Sequence, residues 1–422
     1  MDTTVGIEAV AVHIPRYYLD LRSLAKANAV DPAKYLQGLG GRRFAVAAPS
    51  EDPVTLGFDA AQSLMEKYSV DPSTIGLLVV GTESGVDGAK PIASYLHGLL
   101  GLPPDCRTFD TKHACYSGTA AMRMASDWCV ARSGGKKTKA LVVATDIARY
   151  SVGAAGEPTQ GASAVAMLIS DEPKCFIFEP FQDAVFSEEV MDFWRPHYRS
   201  TAMVDGKTSI HAYLKGLRHT WDDYTAGSNL SWDDFEYMLF HVPFPKMAYK
   251  GFKALYEMSG LKEDELDDCF EARTGCALWA NRELGNCYSA SLYLSLAALL
   301  ERGDQRVAGA RVGMYSYGSG CCAEYFSGRI GHDASAWRER IGIAPGLMRR
   351  QELSYERYLS MRAACEDLSH EGSCVEHDDI PPVPGQRIAF KGIRDHQRVY
   401  LRQASLRSVV SRSHSARAHM GK

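Results

Sequence analysis

An α/β architecture with a buried sheet is what the sequence predicts, and three observations carry it. Segments 77–82, 140–145 and 164–169 are short apolar runs without polar alternation, the pattern of strands covered on both faces. Helical stretches of small residues lie between them, with 118–130 the clearest. The alternation then continues: 235–241 reads as a strand, 289–300 as a helix, and 311–317 as a strand ending in Gly318-Ser319-Gly320.

Composition supports a large packed body. Across 422 residues, 45% hydrophobic and 10% aromatic side chains can fill a substantial core, which excludes intrinsic disorder. A net charge of -4 and a pI near 6.4 argue against a surface built for phosphate backbones, so no nucleic-acid partner is expected. That charge is uneven. Residues 401–422 hold Arg402, Arg407, Arg412, Arg417 and Lys422 and no acid, which leaves a net -9 on the preceding 400 residues. The four arginines recur every fifth residue, about 140° apart on a helix, so they share no face. Both a solvated terminus and a partner-binding arm fit. Ahead of this tail, Pro381-Pro382-Val383-Pro384-Gly385 reads as a stiff link, and 354–368 as a helix at the edge of the body.

No apolar run approaches the ~20 residues of a membrane span, and Met1-Asp2-Thr3-Thr4-Val5-Gly6 lacks the pattern of an export signal. The expected setting is cytoplasmic and reducing. There a cysteine is packing, a metal ligand or a nucleophile. The count of eleven is odd, so at least one is unpaired within the chain. The only close pair is Cys321-Cys322 and there is no C-x-x-C, so no metal site is expected.

Three residues stand out for chemistry. Cys115 lies where the charged stretch 110–113 gives way to tiny side chains; if it begins the helix, the dipole and free N–H groups would lower its pKa and favour a nucleophilic thiolate. A buried structural cysteine is the alternative. Glu83 ends an apolar strand, where partial burial would raise a carboxylate toward a useful base, or where a glutamate simply closes an exposed turn. His241 follows Met238-Leu239-Phe240 and is either a titrating site histidine or a satisfied core one. An echo links two regions: Cys115-Tyr116-Ser117 and Cys287-Tyr288-Ser289 both open small-residue helices, by duplication or by chance.

Taken together with the motifs around them, these residues resemble the 3-hydroxy-3-methylglutaryl-CoA synthase family of the thiolase-like superfamily, including its polyketide β-branching members. The likeness runs from about Gly6 to Tyr400. It rests on Val30-Asp31-Pro32-Ala33-Lys34-Tyr35, Gly81-Thr82-Glu83-Ser84, Ala114-Cys115-Tyr116-Ser117-Gly118-Thr119, Gly156-Glu157-Pro158-Thr159-Gln160-Gly161 and Asp192-Phe193-Trp194-Arg195-Pro196. Val204-Asp205-Gly206-Lys207, His241-Val242-Pro243-Phe244, Gly285-Asn286 and Ser316-Tyr317-Gly318-Ser319-Gly320 continue it in order.

The resemblance implies a five-layer αβαβα sandwich of two similar halves, 1–175 and 176–400, with 401–422 as a basic tail. It also implies a homodimer and a triad of Glu83, Cys115 and His241. An acetyl group would pass to Cys115, Glu83 would remove a methyl proton, and the carbon would attack a ketone polarised by His241. Tyr150, Thr159, Ser209, Asn286 and Ser316 would line the acyl chains, and Lys246 and Lys250 would meet the carrier phosphates. Lys246 and Lys250 also fit a plain solvated face, and Asn286 and Ser316 fit turn-holding roles. Cys287 becomes a structural counterpart of Cys115. No cofactor is implied; the substrates are CoA or phosphopantetheine thioesters, either acetyl-CoA and acetoacetyl-CoA or groups on acyl carrier proteins. Two rival classes differ in their demands. A decarboxylating ketoacyl synthase would have no use for Glu83, and a non-catalytic scaffold would have no use for the triad.

Overall fold

The computed structural model describes residues 4–135, 137–303, 307–333, 335–370, 372–373 and 386–402. The 381–385 link and residues 403–422 of the tail lie outside the described residues.

The apolar runs become the strands Ile75–Gly81, Lys139–Ala148 and Gly161–Ser170, the first starting two residues earlier than its run and ending one short of it, the other two extending beyond theirs at both ends. Ile75–Gly81 and Gly161–Ser170 are buried along their whole length, as expected where helices cover both faces. Their order in the sheet is Arg107–Thr111, Ile75–Gly81, Lys139–Ala148, Gly161–Ser170, Gly6–His13, the third, second, fourth, fifth and first of these five along the chain. The second half repeats this. Its four sheet strands, Tyr237–Phe240, Arg311–Gly318, Cys322–Ile330 and Phe176–Ser187, are second, third, fourth and first of the set along the chain, the same order without a counterpart of the edge strand Arg107–Thr111. The two sets join where Gly6 and Ile7 pair with Ile177 and Phe176.

Helices complete the layers. Pro53–Lys67 packs on the first strand set and Gly206–Ser228 on the second, each on its outer side. Between the sets run Ser117–Arg132 and Ser291–Arg302, the former touching strands of the first set while its Thr119 hydroxyl bonds Ser316 of the second. Small residues make that crossing possible. A Cβ on Gly118 would lie 2.5 Å from the Ser289 carbonyl oxygen, and one on Gly81 would lie 2.6 Å from the Gly118 Cα, so only glycine fits at either position. The helix ends are set locally. Asp52 caps Pro53–Lys67 through a reciprocal box with Thr55, and Asp205 caps Gly206–Ser228 by accepting from the Lys207 and Thr208 amides.

After the Tyr355–Asp367 helix, the hairpin of Ile388–Arg394 and Gln397–Arg402 closes over the first half. Asp52 anchors it by accepting from Arg398 Nη2 at 2.7 Å and Tyr400 Oη at 2.6 Å. The expected body ended at residue 400; the last described strand continues through Leu401 and Arg402.

Candidate active site

Glu83 leaves the end of Ile75–Gly81 with its loop tied to a carboxylate that sequence reading passed over. Asp146, fully buried in the neighbouring strand, accepts at Oδ1 from Thr82 Oγ1 at 2.8 Å, Glu83 N at 3.0 Å and Ser84 N at 2.9 Å. Its Oδ2 accepts from the amide of Ser289 at 3.0 Å and from the Ser289 hydroxyl. One carboxylate thus binds the loop of the first half to the Cys287-Tyr288-Ser289 turn of the second. On the outer side the Arg195 guanidinium donates to the Glu83 carbonyl.

Cys115 meets Glu83 directly: its Sγ donates to Oε1 at 3.1 Å. The expected helix-end activation does not hold. The helix begins at Ser117 with Tyr116 as N-cap, and Cys115 sits ahead of it in a tight turn, where Ala114 has φ 42° and Tyr116 N bonds the His113 carbonyl at 3.0 Å. Burial, followed by the charge and hydrogen bond of Glu83, pushes the thiol well above its ordinary value. The same burial, with Asp146 nearby, raises Glu83 to about 8. The resting site therefore holds a protonated sulfur against a carboxyl that ionises near pH 8, and the thiol's proton gains an acceptor as that carboxyl loses its own.

His241 lies just past Tyr237–Phe240, with its backbone N–H on the Tyr315 carbonyl at 2.8 Å. It is 3% exposed, and burial alone lowers it to about 3, so the ring is neutral at physiological pH. Ser316, one residue beyond Tyr315 on the adjacent strand, receives a 2.7 Å bond from Thr119 in the helix that follows Cys115. Burial, followed by the nearby Cys115 and Glu83, raises the pKa of Tyr150, whose hydroxyl lies beside those of Tyr288 and Thr159. Asn286 N bonds the Thr159 carbonyl at 2.9 Å, while its Oδ1 accepts from Tyr288 N at 2.8 Å and Ser291 Oγ at 3.1 Å. That oxygen holds the turn.

The other three expected residues stand apart from this cluster. Ser209 is half-buried in the first turns of Gly206–Ser228, with its amide on the Asp205 carbonyl. Lys246 and Lys250 are exposed on Pro245–Met258, and Lys246 Nζ lies 3.8 Å from the centre of the Tyr249 ring. Lys246 borders a crevice of about 540 Å³ together with Arg22, Arg42 and Arg282.

Sequence reasoning missed Asp146, Arg195, Tyr288 and Ser289. Asp146 carries the signal that picked out Glu83 and His241, a polar residue closing an apolar run, here 140–145. The Cys-Tyr-Ser echo points at Tyr288 and Ser289 as well as at its cysteine. The ten described cysteines are free thiols. Among the described residues, no helix is long and apolar enough to cross a membrane.

Residues 1–174 match the family model described as hydroxymethylglutaryl-coenzyme A synthase N terminal, and residues 176–266 and 263–382 match its C terminal counterpart. A hydroxymethylglutaryl-CoA synthase of Enterococcus faecalis is 37% identical over 364 residues, 86% of this chain and 93% of its own length. The solved structure of MvaS in complex with 3-hydroxy-3-methylglutaryl coenzyme A superposes with a TM-score of 0.87 at 40% identity, over 96% of this chain and all of that one (100%). That of the curacin biosynthetic pathway HMG synthase in complex with holo donor-ACP gives 0.89 at 31% identity, covering 95% and 100%. The layered fold is thiolase-like, as in these structures, and the chain belongs to the hydroxymethylglutaryl-CoA synthase family.

Proposed function

We propose that the protein is an acyltransferase that condenses an acetyl group held on Cys115 with acetoacetyl-CoA and hydrolyses the adduct to 3-hydroxy-3-methylglutaryl-CoA. The observation that carries this reading is the 3.1 Å contact between Cys115 Sγ and Glu83 Oε1. In the first step the thiol passes its proton to the Glu83 carboxylate as sulfur attacks the acetyl thioester, and CoA leaves as the thiol once that proton is returned to it. The same carboxylate, again free, takes a proton from the acetyl methyl group. The resulting carbon nucleophile forms a bond to the ketone carbon of the second thioester.

His241 acts in that step as a neutral hydrogen-bond donor to the ketone oxygen, since burial keeps its ring uncharged. The developing alkoxide ends as the hydroxyl, taking up the proton that Glu83 removed. Water then cleaves the Cys115 thioester, giving the free carboxylate and restoring the thiol. Tyr150, Thr159, Asn286 and Ser316 wall the acyl groups, and Ser209 belongs to the approach. Lys246 and Lys250 meet the carrier's phosphates. The two halves divide as 1–175 and 176–402, and two copies associate as a homodimer in the cytoplasm.

A second reading places both acyl groups on acyl carrier proteins, as in β-branching. The crevice lined by Lys246, Arg22, Arg42 and Arg282 favours it, because these four cations outnumber the two acids there, Asp267 and the Arg282-paired Glu271, and an acidic carrier would seat against the excess. Mass spectrometry of Cys115 after mixing with acetyl-CoA or with an acetylated carrier protein tests both readings. An acetyl adduct from acetyl-CoA, followed by product on adding acetoacetyl-CoA, is expected. A large preference for the carrier protein would select the second reading, and no adduct from either would overturn the covalent mechanism.

A further inference from the structure

Behind the Cys115 turn lies a buried ion pair that the proposed chemistry leaves unused. Glu324, 1% exposed on Cys322–Ile330, accepts from Tyr116 Oη at 2.6 Å through one oxygen and from Arg123 Nε through the other. Tyr116 and Arg123 are seven residues apart, two helical turns that bring them back to within about 20° of one face. One carboxylate therefore grips the helix twice, at its N-cap and two turns further on. The Arg123 guanidinium lies 4.5 Å from the centre of the Phe326 ring, which fixes its approach. Opposite, the backbone of Gly318 presses on the turn so closely that a Cβ there would come within 2.6 Å of the Tyr116 nitrogen. The turn is thus held from two sides, at the residue next to the nucleophile and in the strained stretch containing Ala114, whose φ is 42°.

We propose that Glu324, clamped by Arg123, is a positioning residue: through the Tyr116 hydroxyl it fixes the Cys115 turn and keeps Sγ within reach of Glu83. A buried carboxylate–guanidinium pair is a costly way to gain stability alone, since an apolar pair of similar volume serves as well. Its fixed geometry suits a site where a displacement of about 1 Å can cost about 100-fold in rate. The inference rests on Cys115 being the nucleophile, so its test needs one readout that does not depend on the reaction.

Replacing Glu324 by Ala would strand a buried guanidinium and can simply unfold the protein. Tyr116→Phe keeps the ion pair and the ring and removes only the hydroxyl. The expected results are a single-turnover acetylation of Cys115 slowed about tenfold with the substrate concentration at half-saturation unchanged, an unfolding midpoint lowered by a few degrees at most because Arg123 still pairs with Glu324, and a lower pH midpoint for iodoacetamide alkylation of Cys115. The last follows because a thiol that drifts from the Glu83 charge ionises more easily. Wild-type acetylation rate and alkylation midpoint in the variant would overturn the assignment. If the parent itself takes no acetyl group, the functional reading fails, and the alkylation midpoint alone decides whether the clamp positions the sulfur.

Discussion

Replacing Glu83 by Gln should cost most of the activity while stabilising the fold, and the structure gives the size of the gain. The carboxyl is raised from its ordinary 4.5 to about 8 by burial and by the charge of Asp146, against the smaller opposing pull of its hydrogen bond with Cys115. Between those values the unfolded chain has released the proton and the folded chain still holds it. The stability conferred by the protonated group is complete below about 4.5 and is lost as pH rises through 8. At 1.36 kcal/mol per pH unit, the loss relative to a neutral amide is roughly 3 kcal/mol at pH 7 and approaches about 5 kcal/mol above pH 8, as upper bounds. Thermal unfolding midpoints of parent and Glu83→Gln, followed from pH 4 to 9, should coincide at the acid end and separate by a few degrees above neutrality, the variant melting higher. In parallel, acetylation of Cys115 should fall by about 10²–10⁴. Superimposable melting curves across the range would refute the burial argument. A variant that acetylates Cys115 as fast as the parent would remove Glu83 from the mechanism.

The parent's acetylation rate should climb with pH around an apparent midpoint near 8 belonging to the Glu83–Cys115 pair, read by quenched-flow mass spectrometry; a flat profile would contradict it. His241→Ala should leave Cys115 acetylation nearly intact but slow formation of the condensed product about 10²–10³-fold, with both steps followed in the same reaction. Asp146→Ala strips five hydrogen bonds from a fully buried hub, and urea unfolding should find it destabilised by about 3 kcal/mol or more, whatever its effect on rate. Ending the chain after Arg402 should leave acetylation of Cys115 unchanged, because the described contacts of the terminal hairpin, including Asp52 with Arg398 and Tyr400, all lie before that point; loss of the adduct would give the basic tail a part in the fold.

Which parts of this site could be read from the sequence follows from the range of the interactions. Glu83 and His241 were accessible because a polar residue closing an apolar run is a local pattern, and the chain alone records where a buried strand meets solvent. Cys115 was accessible as a candidate, but its electrostatics were not. The helix dipole that would activate it is a one-turn effect fixed by the residue at the N-cap, and Tyr116 holds that position, leaving Cys115 outside the helix. What governs the thiol instead is burial and a carboxylate 32 residues away, both products of the tertiary fold.

The same distinction governs the Cys-Tyr-Ser echo. As a string of three residues it cannot be told from coincidence; only the sheet order, repeated in both halves, makes the two turns counterparts. Folded, they face each other across Gly118 and Ser289, and the two copies have diverged in duty. One carries Cys115, with Tyr116 held by Glu324. The other keeps its sulfur fully buried in Cys287, places Tyr288 beside Tyr150 and offers Ser289 to Asp146. A duplicated fold with a single nucleophile needs a reason for the second turn to hold its form, and the hydrogen bonds of Asp146 supply one: without Ser289, the carboxylate that shapes the Glu83 loop would lose two of its five donors.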